Sequence, residues 1–173
     1  MLAFWRAAGP KKWFVKDDAF DAEIRDRFLP TYEAAAGGAL GHWETSPDGA
    51  FALVVVLDQF PRNMFRGDAR TWASDTRARE VARRAIDAGV DGRIDPALRE
   101  FLYLPFMHSE LLADQLRCIE LSQQAGLTES AKWAEHHADI IRRFGRFPHR
   151  NRLLGRSTTP EEQAWLDDGG FSP

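Results

Sequence analysis

Residues Ser46 to Asn63 read SPDGAFALVVVLDQFPRN, and the assignment of this stretch decides the fold. Ser46-Pro47-Asp48 has the order of a helix start: a capping hydroxyl, proline at the first helical position and an acid in the first turn. Val54-Val55-Val56 favours a strand by propensity. No second stretch of the chain offers a strand to pair with it, and a lone buried strand would leave its backbone N–H and C=O groups unsatisfied. The stretch therefore reads as a buried helix, and the chain as all-α.

Working outward, the neighbouring segments carry helical signals. Upstream, Asp17 or Asp18 caps a helix in which Phe20, Ile24, Phe28 and Tyr32 share one face. Pro30 is expected to kink or split that helix, and Gly37-Gly38 to end it. Downstream, Arg70 to Ala88 is rich in Ala and Arg and reads as a helix closed by Gly89. Asp95-Pro96 opens another, which Pro105 is expected to end. Ser109 is placed as the cap of a helix carrying Leu112, Leu116 and Ile119. Thr128 begins a helix with Trp133, His137, Ile140, Ile141 and Phe144 on one face. Thr159-Pro160-Glu161-Glu162 is a capping box opening a short last helix with Trp165 and Leu166. The expectation is about eight helices.

Three aromatic- or leucine-proline pairs, Phe60-Pro61, Leu104-Pro105 and Phe147-Pro148, interrupt the helical stretches at intervals of 44 and 43 residues. Phe60-Pro-Arg-Asn63 is echoed by Phe147-Pro-His-Arg-Asn151. A spacing near 43 suits a pair of helices per unit and predicts stacked antiparallel helical hairpins.

The chain has 173 residues, a hydrophobic share of 44% and a formal net charge of −3. That suits one domain over residues 1–173 with a sizeable core, and it speaks against disorder and against a generally polybasic nucleic-acid binder. The only cysteine, Cys118, rules out a disulfide within the chain and suits a reducing cytoplasm. The longest apolar run, Ala50 to Leu57, is far short of a membrane span, and Met1 to Arg6 lacks the pattern of a secretory signal. No partner membrane is expected.

The prolines sit in polar clusters: Leu57-Asp58-Gln59-Phe60-Pro61-Arg62-Asn63, Tyr103-Leu-Pro-Phe-Met-His108-Ser109-Glu110 and Phe144-Gly-Arg146-Phe-Pro-His149-Arg150-Asn151. Such groups need partners when the neighbouring aromatic-proline pairs are packed. One reading is structural, with the arginines tying helix ends together. The other brings the three corners to one pocket, as equivalent corners of stacked hairpins lie on one edge. Of the chain's 19 arginines, six (Arg142, Arg143, Arg146, Arg150, Arg152 and Arg156) fall between Ile140 and Pro160, a stretch with no acid. Arginine forks suit carboxylate or phosphate; the alternative is a face balanced by acids from elsewhere. His137, on an apolar face, reads as a buried neutral histidine with one good hydrogen bond. Glu110 is expected to serve the first turn of its own helix, and Cys118 to pack. No HExxH, GxSxG, P-loop or GxGxxG is present, and no metal or cofactor is expected.

These corners also carry a family likeness. The chain resembles the bacterial family catalogued as domain of unknown function 924, through Leu57 to Asn63, Tyr103 to Glu110 and Phe144 to Asn151. Trp13-Phe14 with Phe20-Asp21, and Leu154-Gly155-Arg156 with Glu161-Glu162, are similar as well. Arg6 stands where another aromatic is expected, and Leu111 where an acid is usual. The resemblance implies a tetratricopeptide-like helical fold in a bacterial protein and implies no activity.

The functional expectation is binding of an anionic small molecule or an acidic peptide. Arg62, Arg146 and Arg150 supply charge, and Asp58, Gln59, Asn63, His108, Glu110, His149 and Asn151 orient the ligand or the arginines. One alternative is an enzyme using His108 or His149 with Glu110 as general acid and base and the arginines as anion stabilisers. Another is a purely structural or protein-interaction module, marked by a large exposed aromatic patch.

Overall fold

The computed structural model describes residues 1–170 and is all-α. Among the described residues there are nine α-helices: α1 (Leu2–Ala8), α2 (Pro10–Trp13), α3 (Asp18–Ala36), α4 (Pro47–Met64), α5 (Asp75–Asp87), α6 (Glu100–Met107), α7 (Leu112–Gln124), α8 (Thr128–Phe144) and α9 (Pro160–Asp167). The chain packs as two compact units, Met1–Pro105 and the residues from Phe106 onward.

In the first unit α4 is the central element. Its residues from Ala50 to Met64 are buried apart from Arg62. The valine run that mimics a strand is buried in a helix that packs against α3, whose buried residues include Phe20, Ile24, Phe28 and Tyr32, and against α5, which buries Ala78, Val81, Ala82 and Ala85. Ser46 caps α4 through the Gly49 N–H at 3.2 Å. Gly49 itself is required, because a Cβ there would lie 2.1 Å from the Trp43 carbonyl oxygen. An aromatic cluster closes the other side: Trp5 lies 5.8 Å from Phe60 and 5.3 Å from Phe101 between ring centroids.

Pro30, Pro61 and Pro105 lie inside α3, α4 and α6 rather than at their ends. Pro61 lacks the N–H that would bond to the Leu57 carbonyl one turn back. The Ser74 hydroxyl supplies the missing donor to that oxygen at 2.6 Å, so the helix runs on to Met64. Two further boundaries differ from expectation. Arg70 lies in a 3-10 turn, Ala69–Trp72, opened by Asp68, and α5 starts only at Asp75. Asp95-Pro96 opens a second 3-10 turn, Pro96–Leu98, and the α-helix follows it at Glu100.

The second unit is built on α7 and α8, which pack along each other and are joined by three residues, so they run antiparallel. Ile140, Ile141 and Phe147 form a small core with Phe144 and Trp165 against it. Gly145, at φ 69°, takes the left-handed conformation that stops α8. The capping box at Thr159 and Glu162 is present and starts α9. Ser109 does not cap α7, which begins behind Leu111. Its hydroxyl accepts from the Leu111 N–H and donates to Asp114 at 2.7 Å. Of the three residues named for α7, Ile119 is buried, together with Asp114, Gln115, Cys118, Leu121 and Ser122, whereas Leu112 and Leu116 are exposed. On α8, His137, Ile140 and Ile141 are buried, but Trp133 is half-exposed.

Candidate functional site

In the first unit, the polar residues of α4 are tied to α3 and α5. Asp58 is fully buried and accepts a 2.5 Å hydrogen bond from Gln59 Nε2. Arg62 forks onto both oxygens of Asp75 at 3.0 and 3.1 Å, lies 3.3 Å from Asp58 Oδ1, and donates to the Asp58 carbonyl at 2.6 Å. Burial works to lower the Arg62 pKa, but the two aspartates outweigh it and raise it above the ordinary value. Asn63 donates to Asp21 at 2.7 Å, and Arg66 grips the same carboxylate at 2.5 Å. The Asp-Gln-Phe-Pro-Arg-Asn motif thus joins three helices by charge-assisted bonds.

In the second unit, the other two corners come together. The loop between α6 and α7 presents its carbonyls inward, and side chains take them up. Gln115, itself buried, donates to the carbonyls of Met107 and Ser109 at 2.7 and 2.6 Å, and Arg150 donates to that of His108 at 3.0 Å. Arg150 also stacks over Phe147, 4.5 Å from the ring centroid. Glu110 does not serve the first turn of its own helix. Its carboxylate accepts from the Phe147 N–H at 2.8 Å and from both terminal nitrogens of Arg156 at 2.7 and 3.0 Å. Burial acts to raise the Glu110 pKa, but the bonds from Arg156 and Phe147 hold it below the usual range.

A second fork lies at the start of α9. Arg146 donates to both oxygens of Glu162 at 2.6 and 2.8 Å, and Asn151 reaches the same carboxylate at 3.2 Å. The Arg146 bonds are the main reason that the Glu162 pKa falls to about 2. The outer arginines are answered more loosely: Arg142 by Asp139 and Glu135, and Arg143 by Glu161.

Two histidines complete this corner. His137 donates from Nδ1 to the Trp133 carbonyl at 2.8 Å, and burial lowers its pKa to about 4. His149 is lowered to about 3, first by burial and then by the charge of Arg150. Both are neutral at pH 7. The Cys118 thiol is pushed up to about 12 by burial, so it is inert as a nucleophile. Among the described residues no group of three His, Cys, Asp or Glu side chains is placed to hold a metal ion, and no helix is long and apolar enough to cross a membrane.

The structure therefore brings His108, Glu110, Arg146, His149, Arg150 and Asn151 into one unit, and Asp58, Gln59, Arg62 and Asn63 into the other. Sequence reasoning missed the partners: Asp75 and Asp21 for the first group, Arg156, Gln115 and Glu162 for the second. It also missed the outward leucines of α7, although Leu111 had stood out as a departure from the family pattern.

A family model described as a bacterial protein of unknown function, DUF924, matches residues 1–170. The solved structure of a protein of unknown function from Agrobacterium tumefaciens is similar, with 48% sequence identity and a TM-score of 0.94, over 97% of this chain and 95% of that one. No curated protein matches.

Proposed function

We propose that this chain, which belongs to the DUF924 family of bacterial proteins, is a binding module that takes an acidic peptide segment at the arginine-rich end of the α7–α8 hairpin. The observation that carries this reading is the division of labour among the arginines of residues 140–160. Arg146, Arg150 and Arg156 point to internal partners and hold the corner together. Arg142 and Arg143, in the last turn of α8, are 41% and 51% exposed, and Arg152 is exposed too. Exposed ion pairs contribute at most about 1 kcal/mol, so Arg142 and Arg143 exchange their present carboxylates for a partner's at little cost.

Two features favour a peptide over a small-molecule substrate. The open hollow beside the α7–α8 turn, lined by Gln123, Thr128, Lys132 and Glu135 among others, contains none of the candidate residues. Glu110 is committed as an anion to Arg156 and Phe147, and His149 is buried and neutral, which is a poor arrangement for proton transfer at pH 7. The test is titration of a fluorescent Glu/Ser peptide into the full chain. Binding is expected to weaken with salt and to fall about tenfold, equivalent to about 1.4 kcal/mol, in Arg142→Gln/Arg143→Gln/Arg152→Gln. Absence of binding, or equal binding by the triple variant, overturns the reading.

A further inference from the structure

Helix α7 buries three polar residues, Asp114, Gln115 and Ser122, beside Cys118, Ile119 and Leu121, and exposes Leu112 and Leu116, 39% and 46% accessible, with Leu111 before them at 57%. The cause lies in the preceding loop. Gln115 is drawn inward by the carbonyls of Met107 and Ser109, and Asp114 by the Ser109 hydroxyl. With those residues inward, Leu112 and Leu116, one turn apart, share the outward face. The loop thus accounts for the buried Asp114 and Gln115, and Leu112 and Leu116 are left half-exposed.

The placement of this stripe says what fits it. Because α7 and α8 are antiparallel, the first turns of α7 lie at the same end of the hairpin as the last turn of α8, where Arg142 and Arg143 are exposed. We propose that the Leu112–Leu116 stripe, at the same end of the hairpin as the exposed arginines of α8, docks an acidic amphipathic helix of a partner protein. The leucines take its apolar face and the arginines its carboxylates, the helix-on-helix mode of peptide recognition. This deepens the acidic-peptide reading and rests on it.

The test uses the full chain and three labelled synthetic peptides of about 16 residues, roughly four helical turns. One has a leucine stripe and glutamates elsewhere, one has the same composition shuffled so that no stripe forms, and one has the stripe with lysines in place of glutamates. Fluorescence anisotropy is expected to show the Leu/Glu stripe peptide binding about tenfold more tightly than either control. That preference is expected to vanish in Leu112→Ser/Leu116→Ser, whose helicity by circular dichroism matches the unchanged chain. If the shuffled acidic peptide binds equally well and the leucine variant is unaffected, the docking inference falls while the acidic-peptide reading stands. If no acidic peptide binds, that reading falls as well. Equal binding of the lysine peptide overturns the acidic partner. Self-association by light scattering that disappears in the leucine variant assigns the stripe to a second copy and overturns the proposal.

Discussion

The corner around Pro61 and the corner around Pro148 are spelled almost alike and built differently. In the first, Phe60-Pro61-Arg62-Asn63 lies within α4, and its guanidinium is shared by two aspartates, Asp58 and Asp75. In the second, Phe147-Pro148-His149-Arg150-Asn151 follows the glycine break at Gly145 and forms a 3-10 turn, Pro148–Arg150, in which Arg150 takes a backbone carbonyl and an aromatic face. In both, the asparagine amide reaches a carboxylate on another element, Asp21 in one case and Glu162 in the other. The shared letters mark a shared task, fastening a proline-bearing turn to its neighbours. The extra histidine, His149, is held neutral mainly by burial and makes the second corner sensitive to mild acid.

That difference sets the largest expected effect. An imidazole in the unfolded chain takes up a proton near pH 6.5, while folded His137 and His149 stay neutral down to about 4 and about 3. The unfolded state therefore binds more protons between these limits, and stability falls as pH drops. Above pH 6.5 the contribution is complete. Between pH 6.5 and 4.5, where most exposed carboxylates are still charged, each histidine contributes a slope that starts at half of about 1.4 kcal/mol per pH unit and rises towards that value. Urea unfolding of the full chain across this window is expected to lose several kcal/mol, on the order of 4. His137→Gln/His149→Gln is expected to flatten the profile. An unchanged slope in the double variant would show that the second corner is no more acid-sensitive than the first.

The next effect belongs to the first corner. Arg62→Ala leaves Asp58 fully buried without its guanidinium partner, and removing one member of such a pair costs about 3 to 5 kcal/mol. The corresponding change in the second corner, Arg150→Ala, removes a carbonyl bond and a stacking contact and is expected to cost about half as much. Equal losses in denaturant titrations of the two variants would erase the distinction between a charge-bridged corner and a carbonyl-bound one.

How far these corners were legible from residues alone follows from the kind of information each needs. The buried helix at α4 was legible because a lone strand cannot satisfy its backbone, and the α9 capping box because its geometry is local. The candidate residues were recognisable as groups needing partners. Asp75, Asp21 and Glu162 were not identifiable as those partners, since nothing in the spacing pairs Arg62 with a residue thirteen positions on or Asn63 with one forty-two back. The exposure of Leu112 and Leu116 was not legible for a related reason. Their helical spacing takes no account of the inward pull of loop carbonyls on Gln115. Ser109 looked like a cap by position, but its hydroxyl is committed to Asp114 and the Leu111 N–H.

The smallest effect concerns how the two prolines are accommodated. Pro148 opens its turn, where its missing N–H is one that a turn leaves unbonded anyway. Pro61 sits in mid-helix, where the Leu57 carbonyl is left to the Ser74 hydroxyl. Ser74→Ala therefore orphans a buried acceptor and is expected to cost about 1 to 3 kcal/mol. Pro61→Ala restores the N–H that normally fills that position, so Ser74→Ala made on top of Pro61→Ala is expected to cost less than it does alone. A double-mutant cycle by denaturant unfolding measures the difference directly. If the two changes are additive, Ser74 does not repair Pro61. Its bond would then be one more tie between α4 and the start of α5, and the contrast between the prolines would reduce to their place in the helix.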